Sequence, residues 1–333
     1  MSKRHFSYLL LVAIVVTIAV LLVPSKTGRQ AEHEAGPFLP QLAERINDIS
    51  VVRLSTMGGA EVVTLERVNS AWVVQESSAY PADWSVLKPL LADLSQAVVV
   101  EVKTSNPEYY HRLGVEDPDL EDSVSKLIEF PGDESLPGVI VGNSAQGRDG
   151  QYLRLQGEAR SVLVDRDITL PLNSAAWLSR EIVDVADSDV VSVSISHPDG
   201  GRVAIERESA DVTDFTLLDI PEGREAASAW SVNQLASVLS GLELDGVSPA
   251  EEHDWSNAGE LQLVTSDGLQ VVVLMIEEDE NRWIRVEASG SDAADPINER
   301  VNGWAYRIPL YKYDAMNKRM DDVLAAVEDD DFS

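Results

Sequence analysis

The chain contains no cysteine. That absence removes disulfide bonds, thiolate metal sites, cysteine nucleophiles and lipid attachment through cysteine in one stroke. Basic residues are scarce, 26 Lys and Arg against 57 Asp and Glu, for a net charge of −31. Residues 1–30 hold Lys3, Arg4, Lys26 and Arg29 and no acid, so the remainder carries 22 basic against 57 acidic residues. A soluble part that acidic is expected to be repelled by nucleic acid and by anionic lipid headgroups, so a nucleic-acid partner is not expected.

Motifs of chemistry are missing as well. The five histidines, His5, His33, His111, His197 and His253, form no H-x-H, H-x-x-H or H-E-x-x-H pattern, and no zinc site is expected. There is no G-x-S-x-G elbow, no G-x-G-x-x-G and no P-loop. Acid clusters at Asp117–Asp122, Asp165–Asp167 and Glu277–Glu280 fall where loops and hairpin tips belong and match no EF-hand spacing. The expectation is no catalytic residue, no cofactor and no metal.

What is present begins with an uncharged run of 18 residues, Phe6 to Val23. At about 1.5 Å per residue it reaches about 27 Å, enough to cross a bilayer core. Lys3 and Arg4 before it favour a cytoplasmic N-terminus at residues 1–5. The reading is an uncleaved single-pass anchor at 6–23. A cleaved signal peptide or a buried core helix are the alternatives; the run is long for the first and ends in no small-x-small site. Pro24, Gly28, Gly36, Pro37 and Pro40 mark a linker over 24–44.

Beyond it the pattern is α+β. Strands are expected over Ile49–Leu54, Glu61–Arg67 and Trp72–Val74, separated by turns at Met57-Gly58-Gly59 and Asn69-Ser70. Tyr80-Pro81-Ala82-Asp83 leads into a helix starting near Ser85, with Val86, Leu87, Leu90, Leu91 and Leu94 on one face and Pro89 in its first turn. A short helical turn is expected within Asn106–Val115, then strands at Lys126–Phe130, Gly138–Gly142, Gln151–Leu155 and Ser161–Asp165. A helix over Leu172–Val183 closes a first module, 45–187.

The pattern restarts at Val190–Ile195, with Val203–Arg207 echoing Val63–Arg67 and Phe215–Leu218 standing in for Trp72–Val74. A helix is expected from Ser231 through Leu242. Glu260–Val264, Leu269–Leu274 and Arg282–Val286 follow, and Tyr152-Leu153-Arg154-Leu155 is matched by Trp283-Ile284-Arg285-Val286. A second module therefore spans 188–327, and 328–333 is an acidic tail. The fold expected is two tandem similar modules of antiparallel β-meanders, each packed with one or two helices, after the transmembrane segment. Trp72, Trp177, Trp230, Trp283 and Trp304 read as core or module-interface residues.

The succession of Trp72, Tyr80-Pro81-Ala82-Asp83, the leucine-rich helix, Tyr152-Leu153-Arg154, Val162–Asp165 and Trp177-Leu178 resembles the domain-of-unknown-function 4340 family, over most of 45–325 and in two copies. The second copy departs from it, with Phe215 in place of the Trp and no Tyr-Pro-Ala-Asp. The resemblance implies a non-enzymatic extracytoplasmic accessory or scaffold subunit of a bacterial ABC-type transport system. It implies an inner-membrane location with the modules in the periplasm, and an ABC-2-type permease and its auxiliary subunits as partners. It brings no catalytic or ligand residues with it. A module binding envelope polysaccharide or peptide is one alternative, and a carboxylate-dependent hydrolase is another. Tyr80, Asp83 and Trp84, at the strand–helix junction, are the residues singled out for a partner contact; capping by Asp83 and packing by the aromatics is the other reading of them.

Overall fold

In a computed structural model, residues 36–56, 62–120, 122–171 and 173–326 are described. The 6–23 run, the linker as far as 35, the Met57-Gly58-Gly59 turn and the 328–333 tail lie outside them. Among the described residues no helix is long and apolar enough to cross a membrane.

The protein is mixed α+β, with two large antiparallel sheets. The first contains β1 (Val51–Ser55), β2 (Val62–Val68), β3 (Ala71–Val74), β4 (Tyr80–Pro81), β5 (Val99–Val102), β6 (Lys126–Glu129), β7 (Val139–Ser144), β8 (Gln151–Leu155) and β9 (Ser161–Val164). Their spatial order is β4-β3-β2-β1-β6-β7-β8-β9-β5. After β10 (Glu181–Val183), the second uses β11 (Val190–Ser196), β12 (Arg202–Glu206), β13 (Thr216–Leu217), β15 (Gly246–Pro249), β16 (Gly259–Thr265), β17 (Gln270–Glu278), β18 (Asn281–Ser289) and β19 (Trp304–Arg307). Its order is β13-β12-β11-β16-β17-β18-β19-β15. Leaving out β4, the two sheets run through their strands in the same order. In both, the strand that follows the helix leaves the meander and returns as the far edge.

The alternation predicted for the strands appears in their burial. In β1, Val52 and Leu54 are inward and Arg53 is out; in β2, Val63 and Leu65 are inward. The helix Trp84–Gln96 buries Leu87, Leu90, Leu91 and Leu94, the face expected from their spacing. Asp83 caps it, accepting a 2.7 Å bond from the Ser85 amide. The start at Trp84 places Pro89 in the second turn rather than the first, so the helix carries a proline inside it. Asp83→Ala should lower stability by about 1 kcal/mol, read by chemical denaturation, and Asp83→Asn should recover most of it. A loss near zero would show that the cap is idle.

Two elements differ from the sequence reading. Residues 173–183 do not form the expected helix; a short 3-10 turn, Ser174–Trp177, is followed by β10. The reason is local and tertiary together: Trp177 is fully buried with its indole N–H on the Pro171 carbonyl, and β10 pairs with β14 (Leu242–Glu243). The helix predicted from Ser231 to Leu242 is a five-residue α-turn, Ala229–Asn233, capped by Ser228 and passing into a 3-10 turn, Gln234–Ser237. Gly241, at φ +53° with its amide on Asp184, ends it before Leu242, which joins β14.

Contacts also cross residue 187, where the sequence divides the chain. The β10–β14 pair, the Val185 amide on Leu239 O and a single contiguous apolar cluster run across it. The two sheets therefore share one core instead of closing two separate ones.

Candidate functional site

The sequence singles out Tyr80, Asp83 and Trp84 for contact, and the structure gives the three different surroundings. Tyr80 is buried. Its ring lies edge-on to Trp304 at 5.0 Å and to Tyr306 at 6.1 Å, both on β19 of the second sheet. Burial pushes its phenol above the ordinary range, and a hydrogen bond with the Tyr306 side chain pulls back. Pro81 and Asp83 are tied within the first half: the Asp83 amide donates to Trp177 O and the Ser179 amide donates to Pro81 O. Trp84 points out and is 50% exposed. Within the Tyr80–Asp83 run, it is Tyr80 whose ring meets the second sheet. Of the three residues, Trp84 alone presents a large apolar surface to solvent.

The most exposed aromatics lie elsewhere. Trp230 and Tyr311 are each 69% exposed, and both line an open groove of about 310 Å³. Trp230 sits at the start of the Ala229–Asn233 turn, and Tyr311 near the start of the helix Leu310–Met316. Leu235 and Val238 contribute to the floor and Lys312 and Lys318 to the wall. Lys312 Nζ donates to Ser240 O at 2.6 Å, and burial pulls its ammonium below the ordinary range. Placing Trp230 among core residues was the natural expectation from its type. The short helix leaves it outside, because Val232, Leu235 and Ala236 already fill the buried face.

A second constellation was invisible to sequence spacing. Ser248 on β15, His253 just after it and Glu278 at the end of β17 form a chain of two short bonds. Ser248 Oγ lies 2.6 Å from His253 Nε2, and His253 Nδ1 lies 2.6 Å from Glu278 Oε2. With Glu278 ionised, Nδ1 carries the proton and Nε2 accepts from the serine hydroxyl. The imidazole is packed between Trp283 at 4.5 Å and Trp255 at 5.9 Å. Of the three residues, Glu278 alone lines the neighbouring polar groove of about 360 Å³, with His197, Tyr313 and Arg319. A five-residue Ser–His gap on a strand–turn carries no recognisable motif, and the glutamate comes from another strand, so only the sheet brings them together.

The acid clusters behave as loops. Asp117 pairs with Arg154, and Asp165 Oδ1 accepts from the Val98 amide at 2.9 Å. Among the described residues, no group of three or more His, Asp or Glu is placed to hold a metal ion. Glu101 is the most perturbed carboxylate: hydrogen bonds first from Lys103 and then from Arg148 hold it at about 2. A carboxylate held below its unfolded value stabilises the fold above that value and loses the contribution as pH falls toward 2. The pair is partly exposed, so screening keeps the effect small. Glu101→Gln should therefore change stability at neutral pH by under about 1 kcal/mol and flatten the acid limb of a denaturation–pH curve. A large neutral-pH loss would contradict that.

Together the fold and surface define a double-sheet α+β protein whose conspicuous surface feature is an open aromatic groove. Residues 72–259, more than half of the chain, match the family described as Domain of unknown function (DUF4340), and the chain belongs to that family. No curated protein and no solved structure matches it.

Proposed function

We propose that this protein is a membrane-anchored, extracytoplasmic accessory or scaffold subunit of a bacterial ABC-type transport system, built from two copies of one α+β unit. The single observation that carries a binding role is the groove with Trp230 and Tyr311. Two aromatics this exposed, beside apolar floor residues and two lysines, have the make-up of a contact hot spot. The two-copy reading is supported by the shared strand order of the sheets. The anchor and the periplasmic location rest on the 6–23 run and its flanking basic residues. The ABC-2-type partner rests on the resemblance alone.

The test is recovery of partners from membranes in mild detergent, using the full chain and a Trp230→Ala, Tyr311→Ala variant. Each hot-spot aromatic is worth about 2 kcal/mol or more, about thirtyfold in affinity, so the double variant should bind an integral-membrane permease on the order of a thousandfold more weakly and recover almost none of it, with an unchanged melting temperature. Equal recovery by both proteins, or no permease with either, sinks the reading.

A second reading, a serine hydrolase, is favoured by one observation. The order of bonds in Ser248–His253–Glu278 is that of a nucleophile, its base and an orienting acid. A fluorophosphonate probe decides it: stoichiometric labelling that Ser248→Ala abolishes would install the hydrolase, and no labelling would leave the three residues as a clamp on the turn after β15.

A further inference from the structure

We propose that the face around β5 rests on the lipid bilayer surface. The inference deepens the membrane-anchored reading and rests on it.

The argument starts from where the chain enters the fold. Val99 N donates to Gly36 O at 2.9 Å, Pro37 bridges to Val98, and Phe38 N donates to Ala97 O at 2.7 Å. The first described residue is thus fastened to the start of β5, at the edge of the first sheet. Thirteen peptide steps separate Gly36 from Val23, the last residue of the uncharged run. Fully extended they reach about 45 Å. A folded body of this size is about 50 Å across, so a tether fixed at β5 cannot let that edge face directly away from the bilayer, and it can lie against it.

The surface at that edge suits the position. Val100 and Val102 are two residues apart on the strand, so they share a face, and both are exposed. Tyr109 is exposed as well, with the Arg112 guanidinium 4.9 Å from its ring centre. Lys103, Tyr109 and Arg112 line one shallow depression beside Val102. Arg148 joins them through Glu101, which it meets at 2.6 Å. Exposed valines, a tyrosine and long basic side chains are the composition of a membrane-interface contact, the ring and methyls entering the headgroup region and the cations meeting phosphate. The whole chain carries −31, whereas here Lys103, Arg112 and Arg148 stand against Glu101, Glu108 and Asp165, so this face is close to neutral. An anionic surface repels the bulk of such a body and turns its least acidic face inward.

The absence of native cysteine makes the test clean. The full chain, reconstituted in vesicles of phosphatidylcholine and phosphatidylglycerol, would carry one environment-sensitive label at Val100→Cys, Tyr109→Cys, Leu310→Cys or Ala13→Cys. Lipids spin-labelled at the headgroup, for the labels at 100, 109 and 310, and mid-chain, for the label at 13, supply the quencher. Labels at 100 and 109 should be quenched severalfold more than the label at 310. Neutralising Lys103 and Arg112 to Gln should reduce the docked population by roughly tenfold. Quenching at 13 with none at 100 and 109 overturns the docking but leaves the anchor standing. No quenching at 13 removes the anchor and this inference together. Protection of 100 and 109 that appears only when membrane proteins are added assigns the face to a protein partner and overturns it equally.

Discussion

Tyr80→Ala is expected to cost about 3–5 kcal/mol, the range for truncating a fully buried aromatic. The side chain is 1% exposed and its ring meets Trp304 and Tyr306 edge-on, so the loss removes both apolar burial and two favourable ring pairs. The cavity would open between the two sheets, where neither can relax without moving the other. Tyr80→Phe keeps the ring and both edge-on pairs and should cost under about 1 kcal/mol. Guanidinium denaturation of the two variants gives both numbers. A loss below about 1.5 kcal/mol for the alanine variant would mean that the joint is held by β10–β14 and the shared core, with Tyr80 merely covering it.

Arg154→Ala should be comparably severe, and Arg285→Ala nearly silent. Arg154 is 3% exposed. Its guanidinium donates to Val115 O at 2.8 Å, Glu158 O at 3.0 Å and Asp117 at 2.6 Å, and stacks 4.6 Å over Tyr110. Removing it strands the buried Val115 carbonyl and leaves a gap under the Tyr110 ring, at about 3 kcal/mol. Arg285 occupies the matching place in β18, yet its side chain is 38% exposed and bonds only its near neighbour Glu287. A surface pair of that kind is worth under about 1 kcal/mol. Equal losses for the two variants would contradict the burial difference.

That arginine pair marks the limit of what repeated sequence can say. The apolar-apolar-Arg-apolar echo correctly placed Arg154 and Arg285 on equivalent strands, since strand register follows from local alternation. Their surroundings come from segments that were not repeated. In the first half, Pro107–Tyr109 and Tyr110–Leu113 fold over β7 and β8 and bury the guanidinium; the shorter loops of the second half leave Arg285 uncovered. The same holds for the helices. Leu87, Leu90, Leu91 and Leu94 declared their helix because it is long enough to show its period. The stretch after Ser228 has similar leucine spacing, but Gly241 and the pairing of Leu242 with β10 cut it short and leave Trp230 outside.

The candidate sites divide in the same way. Trp230 and Tyr311 are eighty-one residues apart in the sequence, and Ser248, His253 and Glu278 come from an edge strand, a turn and a neighbouring hairpin. No spacing rule joins them, because their proximity is made by strand order.

Tyr80-Pro81-Ala82-Asp83 was legible from the start as an unshared run at a strand–helix junction, and its cap was legible too. Composition, charge, the uncharged 6–23 run and the order of strands and helices were determined by the sequence alone, because each depends on residues close together in the chain. Whether that run faced a partner or the other half of the same protein was decided only by the tertiary structure. The physical reason is that Tyr80 has no large apolar surface to bury against until β19, more than two hundred residues later, brings Trp304 and Tyr306 to it.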